Sequence, residues 1–278
     1  MSFVHLHNHS HYSVLDGAVP VDKMVKRAVE FGMNAVALTD HGNMCGAIEF
    51  YETARKAGIK PIIGQEFYVA PGSRFSRETV KGEDTNFHLL MVAENGEGYK
   101  NLMRLSSLGY TEGFYYKPRI DYELLQKHHE GLIAGSACIG GEIPSLILRG
   151  KLKEAREAAG KLNEIFGKDR FYLEIQDHGI PEQATANAEL VKMSSEMGIG
   201  LIATNDCHYL KKDDAYAHEV LLCIQTGKTI NDPNRMRFSS DQFYFKTEQE
   251  MEQIFGEYPD ALFNTQKIAD MCDLTLDL

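Results

Sequence analysis

The sequence predicts an α/β fold whose strands close into a barrel or barrel-like sheet, on three observations. About seven short apolar runs are spread along the chain. Most are separated by stretches with apolar residues three and four apart, the signature of amphipathic helices between strands. Glycines at 32, 58, 109, 167 and 198 punctuate those stretches, where a left-handed helix cap favours glycine.

In chain order, residues 3–7 read as a strand, 21–31 as a helix, 35–38 as a strand and 47–57 as a helix. A longer apolar run follows at 61–69. Residues 71–86 are polar and without periodicity, and predict a long surface loop. Strands then read at 88–93, 132–135, 171–175 and 201–204, with helices at 98–108, 120–127, 152–166 and 182–197. Strands and helices in alternation imply parallel strands joined by crossover helices. After Tyr209 the rhythm changes to helices at 213–225, 248–254 and 259–272, with an irregular strand or arm at 235–245.

A length of 278 residues lies near the upper end of one domain, so a single unit is expected, a core barrel over about 1–210 with a helical and arm extension over about 211–278. The 43% hydrophobic and 25% charged fractions describe an ordinary globular protein. No stretch reaches the ~20 apolar residues of a membrane span, and the start does not resemble a signal peptide. Five cysteines without a repeating spacing argue against a disulfide framework, so a cytoplasmic location is expected. A net charge of −11 excludes a free-standing nucleic-acid binder, unless the substrate is small or metal ions supply positive charge. The chain ends at Leu278 without a closing motif, as an excised piece of a longer one would.

The chemistry is carried by residues that bind metals. The opening reads His5-Leu6-His7-Asn8-His9-Ser10-His11, followed by Leu15-Asp16-Gly17. On an extended strand alternate residues share a face, so His7 and His9 can meet one ion; spacing alone allows His5 and His11 equally, and a surface histidine run is the alternative. Later strand ends carry further ligand types: Asp40-His41 after 35–38, Glu66 after 61–63, and Asp206-Cys207-His208 after 201–204. Carboxyl ends of barrel strands are where active sites form. Asp40 or His41 could instead cap a helix. Glu66 in an apolar run is costly to bury unless paired or bound to metal. Carboxylates and imidazoles converging on one place suit more than one divalent ion, and metals a few ångström apart serve phosphoester hydrolysis.

These residues resemble the PHP (polymerase and histidinol phosphatase) domain, in the branch found at the N-terminus of the bacterial replicative DNA polymerase III alpha subunit. The resemblance covers essentially the whole chain. It rests on the segments above and on Pro61-Ile62-Ile63-Gly64, Gly113-Phe114-Tyr115-Tyr116-Lys117-Pro118-Arg119, Tyr172-Leu173-Glu174-Ile175-Gln176-Asp177-His178-Gly179 and Ala203-Thr204-Asn205-Asp206-Cys207-His208-Tyr209.

The resemblance implies a distorted TIM-like (β/α)7 barrel and a site for three divalent metal ions (zinc, manganese or iron). Its ligands fall on His7, His9, Asp16, His41, Glu66, His88, Cys138, Asp206 and His208. His7, His9, Glu66 and Asp206 would surround one metal, Glu66 would bridge to a second held by His88 and Cys138, and Asp16, His41 and His208 would hold the third. Glu66, Asp206 and His9 are the implied catalytic residues; His5 and His11 become flanking residues that could support the ligands. Cys138, where the phosphatase branch usually has histidine, would favour softer ions such as zinc. A complete ligand set implies a phosphoesterase, such as a proofreading 3′-to-5′ exonuclease acting on DNA 3′ ends. The rest of the polymerase and the replisome would be its partners. The polymerase carboxylates of the family lie beyond residue 278. Lys117 and Arg119 are candidates to hold a phosphate near the metals, with a solvated turn as the alternative. Two other readings are a stand-alone phosphomonoesterase of the histidinol-phosphatase type and a metal-stabilised structural module without activity.

Overall fold

The computed structural model describes residues 3–78 and 84–278. The strands are β1 (Ala35–Leu38), β2 (Lys60–Val69), β3 (Phe87–Ala93), β4 (Arg119–Ile120), β5 (Leu132–Gly135), β6 (Phe171–Ile175) and β7 (Gly200–Ala203). They form one curled sheet in the order β1-β2-β3-β5-β6-β7, with β4 added at the end of β2. The helix α1 (Val21–Glu30) precedes β1, the helices α2 (Ala47–Lys56), α3 (Gly96–Thr111), α4 (Tyr122–Lys127), α5 (Glu142–Leu148), α6 (Leu152–Phe166) and α7 (Pro181–Met197) lie between the strands, and α8 (Ala215–Thr226), α9 (Glu248–Phe255) and α10 (Pro259–Met271) follow them. This is the barrel-like α/β sheet that the alternation predicts, in the distorted TIM-like form that the resemblance implies. Among the described residues no helix is long and apolar enough to cross a membrane.

The strands are not all parallel, which corrects the sequence reading. β3 runs antiparallel to β2 and to β5. Among the described residues no crossover helix lies between β2 and β3, as the antiparallel pairing of the two strands allows. Residues 79–83 of the predicted 71–86 loop lie outside the described residues.

Residues 3–7 also differ from expectation, forming no regular strand. They run between β1 and the chain after β7: Ala37 N–H donates to His5 O (2.9 Å), Thr39 N–H to Asn8 O (3.0 Å) and His9 N–H to Cys207 O (2.8 Å). The Asn8 side chain donates to His5 O and Ala37 O, adding side-chain bonds to these backbone ones where the curl closes. Smaller differences have local causes. Ile120 belongs to β4, and Asp121 caps α4 by accepting from Leu124 N–H. Helix α5, at seven residues, is too short to show a period. Gly109 lies inside α3 against Pro118 instead of closing the helix. The 235–245 arm is irregular, as predicted, apart from one bridge between Tyr244 and Tyr209.

The sheet separates two cores. Val36, Leu38, Phe67, Met91, Phe171 and Leu173 face the helices. Ile62, Val92, Ile133, Tyr172 and Ile202 fill the inside of the curl with Val4 and Leu6, and Ile268, Ala269 and Cys272 of α10 and its end join them. The alternation of side chains along a strand places Glu66 on the Ile62 face, His88 on the Val92 face and Glu174 on the Tyr172 face. One end of the interior is therefore apolar and the other is lined with carboxylates and imidazoles.

A buried cluster of imidazoles and carboxylates

His7 and His9 sit on the closing segment, each held through Nδ1. His7 Nδ1 lies 2.7 Å from Glu174 Oε1, and His9 Nδ1 lies 3.1 Å from Ser13 Oγ. Ser13 in turn donates to Asp40 Oδ1 (2.7 Å), which also accepts from Ser10 N–H (2.7 Å). Asp40 is thus a strut for the 10–13 turn, not a helix cap. The two Nε2 atoms face inward: His7 Nε2 is 3.3 Å from Glu66 Oε1 and 3.4 Å from Asp206 Oδ1, and His9 Nε2 is 3.0 Å from Asp206 Oδ1.

Glu66 occupies the centre. Its Oε1 lies 3.0 Å from His88 Nδ1 and 3.8 Å from Cys138 Sγ, and its Oε2 lies 2.6 Å from His41 Nδ1 and 3.6 Å from His9 Nε2. Each carboxylate oxygen therefore serves a different group of side chains. His88 lies near the start of its strand, yet it reaches the cluster because β3 is antiparallel to β2, with Tyr68 opposite His88. Cys138 Sγ is 3.6 Å from His88 Nδ1. On the cavity side Asp16 lies 3.2 Å from His41 Nε2, 3.7 Å from His208 Nε2 and 3.8 Å from His218 Nε2.

The backbone is bent to deliver these groups. Asp206 itself (φ 42°), Leu15 before Asp16 (φ 63°) and Ala137 before Cys138 (φ 61°) adopt left-handed conformations that disfavour residues other than glycine, at ~1–3 kcal/mol each. Gly17 lets the 10–17 turn close, since a Cβ there would overlap the Ser10 carbonyl.

Electrostatics follows from burial. Burial opposes charge on His41, but Glu66 and Asp16 raise its pKa to about 10. His7 is also raised, against burial, by Asp206, Glu174 and Glu66. His9, buried beside His41 and His208, falls to about 3. Burial disfavours charge on Glu66 and Asp206, but the surrounding imidazoles, His88 and His41 for Glu66 and His7 and His208 for Asp206, hold both carboxyls below the usual range. Burial and Glu66 push the Cys138 thiol up. Within the cluster the protons therefore favour His7 and His41, while Glu66 and Asp206 stay ionised.

Divalent cations fit here on one structural ground. Among the described residues the buried atoms His7 Nε2, His9 Nε2, Asp16 Oδ1, His41 Nδ1, Glu66 Oε2 and Asp206 Oδ1 have no hydrogen-bond partner, although several lie within 4 Å of one another. Such a cost is relieved when the atoms share a cation. Ligating atoms of His7, His9 and Glu66, of His41, Glu66 and His88, and of His9, His41 and His208 each lie within 4.8 Å of one another.

All nine implied ligands are in this cluster. His5 is not: its Nε2 lies 2.8 Å from Lys246 O and its ring packs on Phe3 and Phe245, because the closing segment is not a regular strand. His11 is exposed, with Nδ1 3.4 Å from Val19 O. Arg119 is corrected too. It is buried and gives its guanidinium to the carbonyls of Gly113, Thr85, Arg74 and Ser76, so its charge braces a loop and is not offered to a phosphate. Lys117 is exposed, its Nζ 5.1 Å from the Tyr68 ring, which stands beside His41 and His88. Sequence reasoning missed Glu174, although a carboxylate within the apolar run 171–175 gives the same signal as Glu66. It also missed His218, whose helix offers no such signal.

The PHP domain family matches residues 5–178 of the chain. DNA polymerase III subunit alpha from Thermus aquaticus is 49% identical over 284 residues, covering 100% of this chain and 23% of that protein. The subunits from Treponema pallidum and Mycobacterium tuberculosis are 48% and 46% identical and cover 99% and 97% of the chain, in each case 24% of the relative. The chain thus spans about a quarter of the length of these curated relatives. A solved two-domain protein from Bacteroides vulgatus, described as containing a predicted PHP-like metal-dependent phosphoesterase, aligns with a TM-score of 0.44 at 15% identity, covering 95% of this chain and 63% of that one.

Proposed function

The chain belongs to the PHP domain family, and on that premise we propose that it is a metal-dependent phosphodiesterase removing nucleotides from DNA 3′ ends within a replicative polymerase. The observation that carries this reading is Glu66, whose two oxygens address different imidazole groups around buried atoms that lack partners. A carboxylate so placed suits neighbouring ions a few ångström apart. Divalent ions held there would supply Lewis acidity toward a phosphoryl oxygen and lower the pKa of water.

The protein's own residues set up the rest. Glu66, Asp206 and His9 are assigned as the catalytic groups, with His7, His88, Cys138, Asp16, His41 and His208 completing the ligand set. Glu174 orients His7 through Nδ1, and Ser13 orients His9, so that both Nε2 atoms face the reacting centre. Asp16, His41, Asp206 and His208 line a cavity of about 360 Å³ through which substrate reaches the cluster. Lys117, near Tyr68, stays a candidate for steering a phosphate to its mouth. The polymerase relatives favour DNA over a small phosphomonoester, and the remainder of such a polymerase would hold the duplex.

The test is metal analysis of protein purified without added metal, then hydrolysis of a 3′-labelled single strand before chelation, after it, and after readdition of manganese or zinc. Nucleoside monophosphates released only with metal are the expected result. Failure of fully loaded protein to cleave DNA or an aryl phosphodiester would overturn the reading in favour of a structural module. Cleavage of small phosphomonoesters alone would favour the phosphatase type.

A further inference from the structure

The arm after α8 is fastened on both sides of residues 236–239. Before them Arg235 Nε donates to Glu219 Oε1 of α8 (2.6 Å), and after them Ser240 Oγ donates to His178 O (2.6 Å). Beyond that point Asn205 Nδ2 donates to Gln242 O (2.9 Å) and Tyr244 O (2.7 Å), and His208 N–H donates to Phe243 O (2.8 Å), so the arm is tied to the loop carrying Asp206 and His208. The four residues between the anchors stand over the cluster and line the 360 Å³ cavity. Arg237, Phe238 and Ser239 also line an adjoining cavity of about 300 Å³, so this stretch separates the two.

Arg237 is the sole lysine or arginine among the described residues lining the larger cavity, and it is exposed. Among the described residues it has no ion pair, whereas Arg235, two residues earlier, is paired with Glu219. In a chain with a net charge of −11 a guanidinium could find a carboxylate easily. Left unpaired, its fork of donors is free to take an anion with two oxygens side by side. Beside it Met236, Phe238, Phe243, Ile139 and Ile180 give the cavity an apolar wall, which an inorganic anion does not need and a nucleobase does.

We propose that residues 236–239 are the nucleotide-binding element of this site, with Arg237 taking the phosphate and the Met236–Phe238 wall receiving the base. The ligand class rests on the phosphodiesterase reading above; the residue assignment rests on the cavity and the unpaired charge.

The test is calorimetric titration of zinc-loaded protein with deoxythymidine monophosphate and, separately, with inorganic phosphate, for the parent, Arg237→Gln and Arg237→Lys. The parent should bind the nucleotide at least about tenfold more tightly than phosphate. Arg237→Gln should weaken both by about tenfold, the loss of one charge-assisted pair, and Arg237→Lys should recover part of it. Zinc content, measured on each sample, should not change, because Arg237 touches no ligand. Equal affinities in parent and Arg237→Gln, equal binding of nucleotide and phosphate, or no nucleotide binding by the parent at millimolar concentration would overturn the proposal. Binding that follows these expectations without any hydrolysis would sink the phosphodiesterase reading and leave this assignment standing.

Discussion

Glu174 Oε1 lies 2.7 Å from His7 Nδ1, and both side chains are fully buried. Glu174 is also bonded by Thr204 Oγ1 and by Gln176 Nε2, so it cannot turn away. The carboxylate therefore fixes which nitrogen of His7 faces Glu66 and Asp206. Partners of this kind contribute ~10–100-fold in metal affinity. Glu174→Gln is expected to lose that much in competition with a chromophoric chelator while the protein still folds. An unchanged affinity would mean that His7 needs no orienting group.

Replacing Glu66 by Gln removes a charge that faces His7, His88, His41 and His9 together, so metal stoichiometry should fall and hydrolysis should drop by at least ~100-fold. His11→Gln, on an exposed residue outside the cluster, should leave both near the parent values. Matching losses in the two variants, measured on samples of known metal content, would show that the ligand register on the closing segment is wrong.

Removing metal should destabilise the fold. Asp16, Glu66, Cys138 and Asp206 share one buried place, and an ion that binds the native chain alone stabilises it by ~4 kcal/mol at about a thousand times its dissociation constant. Chelation is then expected to lower Tm by roughly 10 °C. The drop should be smaller in an Asp16→Asn, His208→Gln variant, which begins with fewer ligands. Superimposable melting curves for the parent with and without chelator would argue that the cluster does not bind metal tightly.

Arg119→Met should act on stability, not on chemistry. The substitution leaves the carbonyls of Gly113, Arg74, Ser76 and Thr85 without their shared donor, at a cost of at least ~2 kcal/mol. Denaturant unfolding should show that loss, while hydrolysis per folded molecule stays at the parent level. A loss of activity without a change in unfolding would return Arg119 to the role of a phosphate ligand.

Much of the fold can be read along the chain, because period and punctuation are local properties. The helices at 21–30, 47–56 and 152–166 and the strands at 35–38, 132–135 and 171–175 need no partner to be recognised. The ligand types are legible for the same reason: His7, His9, His41, Glu66, Asp206 and His208 stand at or after apolar runs, and a buried carboxylate is conspicuous wherever it occurs. Other facts depend on groups far apart in sequence that meet only when the sheet curls. The antiparallel course of β3 brings His88 to the cluster, and His5 packs on Phe3 and Phe245 with its Nε2 at Lys246 O, away from His7. Arg119 became a brace because the carbonyls of Arg74, Ser76 and Thr85, distant in sequence, converge on it together with that of Gly113. Arg237 acquired its place over the cluster because Glu219 and His178 hold the arm on either side. Spacing conveys what one segment offers, but which buried atoms of the described residues are left without a partner is a property of the curled sheet, because their neighbours come from segments far apart in sequence.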